Sequence, residues 1–278
     1  MGYLRSIATA FTMYGVLAAA VGMAQTGADK ADKSPPAVNP GRPTITDPAS
    51  LTAPGWLETE FGLTKGLDRD RTFSTPTLLK LTDRNRRLQY RLGFDGYLKP
   101  GQGASGFGDT FAGLHYLFTN QQQSKFDIAG RITVKIPTAR VAIGGTQKMD
   151  FNVLLLASRD FTPSIHADFN LGFSTLTQPD PGPPGINGAR FGPGVDYLYQ
   201  ATASFTFPLK GGRWAYTNEL VYASGTAQAD YSVTTMHGLT YSVHRYDVYD
   251  IAVQWQLHGS GANFQILAGK TFFLGKLF

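Results

Sequence analysis

The 278-residue chain contains no cysteine. That excludes a disulfide scaffold, thiolate zinc sites, iron–sulfur clusters, a cysteine nucleophile and a lipid-modified cysteine anchor. Charge is scarce as well: 16% of residues are Asp, Glu, Lys or Arg, against about 25% in soluble domains. Long apolar runs are also missing. The nearest is the weak stretch Ile7–Val21, shorter than the ~20 apolar residues of a spanning helix. The net charge is +5, yet no basic cluster exceeds Arg84–Arg87, which includes Asn85; this speaks against nucleic-acid binding. Neither HExxH nor GxxxxGK(S/T) occurs, and no close metal-ligand spacing is present, so no metal or cofactor is expected. What is abundant is glycine (32) and aromatic side chains (19 Phe, 13 Tyr, 3 Trp).

The N-terminus explains the one apolar stretch. Arg5, the run Ile7–Val21 and the small residues Gly22 and Ala24 flanking Met23 form a secretory signal peptide over 1–24, cleaved after Ala24. Residues 25–54 carry six of the sixteen prolines among Asp, Lys, Ser and Thr, with almost no large apolar residue. This composition predicts a proline-rich leader, disordered or extended, too short to fold as a plug domain.

From Trp56 onward the hydrophobic pattern has period two. Phe126, Ile128, Ile132, Val134 and Ile136 alternate with Asp127, Arg131, Thr133 and Lys135; Ile165, Ala167, Phe169 and Leu171 alternate with His166, Asp168 and Asn170. Such alternation marks strands with unlike faces. Strands are predicted near 56–64, 73–82, 87–98, 107–118, 126–137, 149–159, 165–176, 195–208, 214–223, 231–243, 246–257 and 263–273. Those near 107–118, 149–159 and 263–273 alternate poorly. Most match the 9–11 residues of a tilted membrane-crossing strand. Short polar turns alternate with longer connectors, of which Thr177–Gly194, rich in proline and glycine, is the longest. Aromatic residues lie near strand ends, as in interfacial girdles. These observations predict an all-β, up-and-down antiparallel transmembrane β-barrel of about twelve strands over 55–278, in the outer membrane of a Gram-negative-type bacterium.

Two short elements carry a family resemblance. Ser105-Gly106-Phe107-Gly108-Asp109-Thr110, followed by Gly113-Leu114-His115-Tyr116, and Thr133-Val134-Lys135-Ile136-Pro137-Thr138-Ala139 resemble the (S/T)GxGD and "lPtG" elements of the MetA-pathway-of-phenol-degradation family of outer-membrane proteins. Ala139 stands where that family prefers Gly. The tail from Gly238 to Phe278 is similar too. The resemblance implies a barrel associated with uptake of small, often aromatic or apolar, compounds. It carries no catalytic motif.

Charged residues facing lipid near the midplane would cost ~2–4 kcal/mol for Arg or Lys, so the polar faces belong to the lumen. That register makes Glu58, Glu60, Lys80, Arg87, Arg91, Asp95, Asp109, Asp127, Arg131, Lys135, Asp150, His166, Asp168, Asp196 and Glu219 candidate lumen-lining residues. Arg87 and Arg91 are expected beside Asp109, and Arg131 and Lys135 beside Asp150. Such rows either line a passive channel for small solutes or fill the lumen of a structural or adhesion barrel. His166 with Asp168, and Ser242 with His244, share faces at i, i+2, a spacing that would also suit an outer-membrane hydrolase. Gly101–Gly106 matches GxGxxG, but a strand follows where a nucleotide site needs a helix. Expected partners are outer-membrane lipid, small solutes and, through the terminal Phe278, the barrel-assembly machinery.

Overall fold

The computed structural model describes residues 35–67, 71–101, 103–143, 145–177, 195–209, 211–225, 231–259 and 264–278. The expected signal peptide, the first part of the leader and most of the loop expected at Thr177–Gly194 lie outside the described residues.

Fifteen strands follow in chain order: β1 (Trp56–Gly66), β2 (Phe73–Ser74), β3 (Thr77–Thr82), β4 (Leu88–Phe94), β5 (Tyr97–Lys99), β6 (Gly106–Phe107), β7 (Thr110–Thr119), β8 (Asp127–Ile136), β9 (Asp150–Thr162), β10 (Ile165–Thr177), β11 (Val195–Pro208), β12 (Trp214–Gly225), β13 (Ser232–His244), β14 (Asp247–His258) and β15 (Phe264–Lys276). Twelve of them, β1, β3, β4 and β7–β15, pair antiparallel with their neighbours. The last pairs with the first from Trp56↔Lys276 to Gly66↔Gln265. The ring is therefore closed, with no free edge in the spanning part. This is the expected twelve-stranded transmembrane barrel.

The three short strands are where the expected elements break. Pro76 has no N–H to give a ladder, so the strand expected over 73–82 divides into β2 and β3. Gly96 takes a positive φ of 63°, and a Cβ there would overlap the Thr75 carbonyl; the strand expected over 87–98 turns there into β5. Gly106–Phe107 pairs with β5 instead of extending β7. Together β2, β5 and β6 build a small flap on the upper end of β1. It lies at the long-connector end, which in outer-membrane barrels faces outside; the short-turn end faces the periplasm.

Period two is realised as two unlike faces. Outward, Ile132, Leu155, Leu171, Leu220 and Ile251 are exposed and form an apolar lipid face. Aromatic contacts cover the same surface, among them Phe173 stacked on Tyr197 at 5.7 Å, Phe207 on Tyr216 at 6.1 Å and Trp214 against Tyr241 at 4.6 Å. Inward, the side chains are mostly polar and buried.

They are buried because the lumen is occupied. Residues 35–54 form no strand or helix but run inside the barrel, most of them buried. Entry is at the short-turn end, where Val38 N donates to the Arg245 carbonyl (2.9 Å) and Arg245 Nε to the Pro35 carbonyl (2.9 Å). Exit is at the same end, where Gly55 N donates to the Thr82 carbonyl (3.0 Å). The expected leader, too short to fold as a plug domain, nonetheless fills the lumen over residues 35–54. The segment is extended, as its prolines require, but it needs no core of its own. The wall supplies most of its hydrogen-bond partners, with Asn39–Ser50 and Thr44–Gly41 bonds inside the segment, and a small apolar cluster, Ala49 with Ala129, Leu154 and Leu156, packs against it.

The lipid face yields a direct prediction. Leu155→Arg places a charge in the apolar band opposite Leu171, its register partner. It should destabilise the barrel by about 2–4 kcal/mol, measured by reversible denaturant unfolding in phospholipid vesicles.

Candidate functional site

The site is the lumen itself, in which wall charges meet leader charges. At the lower end of β1 and β3, Glu58, Glu60 and Lys80 point inward from adjacent positions. Lys80 Nζ lies 2.5 Å from Glu58 Oε1 and 2.6 Å from Glu60 Oε1, and it donates to the Asn39 carbonyl (2.5 Å). The two carboxylates also accept leader amides: Asn39 N to Glu58 (2.8 Å) and Gly41 N to Glu60 (2.5 Å).

The next leader residue, Arg42, is 1% exposed. Its Nε bonds Asp250 at 3.2 Å and its Nη2 donates to the Ala268 carbonyl (2.7 Å). The guanidinium lies over Gly62 and Gly269, which are register partners across the closing seam. A Cβ on either would overlap it, so the two glycines form a socket for one leader side chain.

Further along, Glu219 of β12 accepts from Ile45 N (2.7 Å), Thr46 N (2.5 Å) and Thr46 Oγ1 (2.7 Å). Asp47 then bridges the opposite wall. One oxygen takes Arg91 Nη2 at 3.1 Å and the other takes Arg131 Nη1, while Asn170 brackets its backbone from both sides (2.7 and 2.8 Å). Ala49 N donates to Ser158 Oγ (2.7 Å), and His115 lies between the Ala49 carbonyl and Arg91 (3.2 Å each). Arg91 donates to Nδ1, which assigns the proton to Nε2.

Most of the candidate lumen residues are therefore inside and engaged. Arg87 is exposed in the short turn before β4, beside the Phe118 carbonyl (3.4 Å). Its parity is inward, but it lies below the wall, and neither it nor Arg91 meets Asp109. Asp127 is half-buried at the short-turn rim, bonded to Gln121 (2.7 and 3.1 Å). Asp196 is half-buried at the opposite end. Lys135 does meet Asp150, as expected, with Asp109 at 4.0 Å.

Asp109 also explains the two motif elements. Its Oδ1 accepts from Ala139 N (2.7 Å), Thr110 Oγ1 meets Thr138 Oγ1 (3.1 Å), and its own N–H donates to Asp95 (3.0 Å). The two elements clasp each other at the mouth, and Ile143 of the same connector tucks against Gly106. Asp95, in the turn after β4, is held well above the ordinary carboxylate value of 3.8 by burial, against the lowering effect of the Asp109 N–H that it accepts.

The hydrolase geometry does not form. His166 gives Nδ1 to Asp160 (2.6 Å) and Nε2 to Asp168 (3.0 Å). With both ring nitrogens on carboxylates it has none left to activate a hydroxyl. Ser158 turns to Asp168 (2.5 Å) instead. Ser242 and His244 are separated by a bulge, and His244 stacks on Tyr246 at 5.1 Å. No group of three or more His, Cys, Asp or Glu arranged for a metal occurs among the described residues.

Above the leader, toward the long-connector end, lies a cavity of about 70 Å³. Arg42, Glu60, Arg91, Arg131 and Asn152 line one part of it, and Leu78, Phe111 and the backbone of Gly93 and Gly113 another. The sequence reading missed Arg42, Asp47 and Thr46 because the leader has no periodicity, and it missed His115 because its strand alternates poorly.

No family model matches the chain, and neither does any curated protein. Solved structures do. An outer-membrane channel from Pseudomonas putida F1 superposes with a TM-score of 0.60 at 13% identity, over 81% of this chain and 98% of that one. The NanC porin does so with a TM-score of 0.54 at 10% identity, over 78% and 98%. The KdgM porin gives 0.50 at 11% identity, over 77% and 98%. At these identities the shared property is the outer-membrane porin-type barrel fold.

Two outcomes follow. Gly62→Ala should unseat Arg42 while leaving the barrel closed, so limited proteolysis in detergent should cleave the leader faster with the heat-modifiable gel shift retained. For Asp95, the raised folded value means that the folded protein keeps a proton the unfolded chain gives up above 3.8. Its contribution to stability therefore falls as pH rises from there through the folded value. Asp95→Asn should remove that fall and raise thermal stability at neutral and alkaline pH, read from melting across a pH series.

Proposed function

We propose that the chain is a passive outer-membrane channel for small solutes whose resting conductance is held low by its own leader. The observation that carries this reading is the construction of the lumen. A closed barrel with an apolar outside has a charged inside, and that inside is filled by a segment bound through polar contacts, with one small apolar patch. A permanently solid barrel could fill its interior with apolar side chains from the wall, as small barrels do. Here the filler is a separate limb whose contacts are ion pairs and hydrogen bonds, which water and solute can replace. The likeness to solved porins and channels supports the same reading, as does an outer-membrane location in a Gram-negative-type bacterium.

The finer assignment, kinship with the MetA-pathway family and a preference for aromatic or apolar compounds, is supported by the two motif elements. Assembly through the barrel-assembly machinery, with Phe278 as the recognised terminus, belongs to the same proposal; Arg84 covers the Phe278 ring at 5.1 Å. The alternative is a structural barrel with a closed lumen, favoured by how completely the leader is bonded.

Because the chain has no cysteine, an introduced pair is unambiguous. Ala49→Cys with Ser158→Cys joins leader to wall where Ala49 N and Ser158 Oγ are 2.7 Å apart. In planar bilayers the oxidised protein should show brief or no openings, and reductant should restore wild-type conductance. Wild-type protein that is folded and silent at every potential identifies the closed barrel instead.

A further inference from the structure

Asp47 is a carboxylate brought by the leader to two wall guanidiniums that do not use all their donors on it. Each Asp47 oxygen takes one arginine, Arg91 or Arg131. An arginine has five N–H donors, and Arg131 Nε, although buried, has no hydrogen-bond partner among the described residues. The same is true of Arg42 Nη1 and of the acceptor Glu60 Oε2. All three residues line the cavity above the leader. Buried, unsatisfied donors and acceptors cost free energy unless a ligand or water meets them. Two guanidiniums sharing one carboxylate also leave a surplus of positive charge on that side.

From this we infer that Arg131, Arg91 and Arg42 form a binding site for a small hydroxycarboxylate, and that Asp47 is its built-in competitor. The solute's carboxylate takes the free guanidinium donors on the Arg131 side. Its hydroxyl donates to Glu60 Oε2, which would repel an anion lacking such a donor. Its short carbon body meets Leu78 and Phe111. A volume of about 70 Å³ is several times the ~10–15 Å³ that admits a single water, which leaves room for a molecule the size of glycolate. Full engagement of both arginines requires Asp47 to leave them. Solute arriving from outside therefore loosens the leader's hold on the opposite wall. The inference deepens the channel reading by naming a solute class and a trigger, yet the binding step can be tested without any conductance.

The test uses the full-length barrel in detergent micelles with ¹³C-labelled glycolate as the probe, titrated by NMR. Wild-type protein should bind glycolate saturably, and acetate several-fold more weakly. Asp47→Asn removes the competitor and should tighten glycolate by about tenfold, the equivalent of one good charge-assisted contact. Arg131→Gln should abolish binding and Arg131→Lys should restore part of it. In an Ala49→Cys variant, glycolate should accelerate alkylation of the thiol by N-ethylmaleimide as the leader loosens. No saturable binding, equal binding of acetate, an unchanged affinity in Asp47→Asn, or alkylation indifferent to glycolate would each overturn the inference. Bilayer recordings on the same preparations report separately on the channel reading. A barrel that conducts without binding glycolate refutes the site alone, and one that binds without conducting refutes the channel alone.

Discussion

Hydrocarbon offers no partner to an unpaired peptide group, and the architecture answers that constraint first. The seam between β1 and β15 removes the last free edge of the spanning ring, and everything else is arranged around it. Closure forces alternate side chains into an interior that lipid cannot reach. Charges there must find countercharges or water. Much of the wall finds them in the leader: Glu58, Glu60 and Glu219 take its amides, Asp250 takes Arg42, and Arg91 with Arg131 take Asp47. The leader in turn has almost no apolar surface and could not fold elsewhere. Each half supplies what the other lacks.

The seam carries a second role. Gly62 and Gly269 face each other where the first and last strands meet, and the space left by their missing side chains receives Arg42. Glycine weakens a strand interior, and placing two side by side at the closing joint would be a liability in an empty barrel. With the guanidinium seated over them, bonded to Asp250 and the Ala268 carbonyl, the joint is backed from within. The same few atoms thus hold the leader and cover two glycines of the closing seam.

The barrel was legible in the sequence because a half-buried strand writes its environment into every second residue. Phe126–Pro137 and Ile165–Leu176 declare their two faces without help, and the parity that turns Leu155 outward also turns Glu58, Lys80 and Lys135 inward. Legibility failed at Pro76 and Gly96, where one residue's backbone chemistry overrides the pattern and diverts the chain into the flap. It failed more completely in the leader. An extended segment that borrows most of its partners has no period, so its prolines and short polar side chains look the same solvated or enclosed. Arg42 acquires meaning only beside two glycines more than two hundred residues apart from each other. Arg91 and Lys135 were both expected to meet acidic wall neighbours; Lys135 does, whereas Arg91 is claimed by Asp47. Pairwise reasoning between strands cannot see a third party in the lumen.

Residues 35–54 begin and end on the same side of the barrel, at the Arg245 turn and at the start of β1. A segment passing through the ring from one mouth to the other would be threaded, and could be removed only by drawing a chain end through the lumen or by opening the seam. A loop inserted and returned through one mouth is topologically free. It can fill the lumen after the ring has closed during assembly, and it can back out and return many times, with no peptide end ever crossing the membrane.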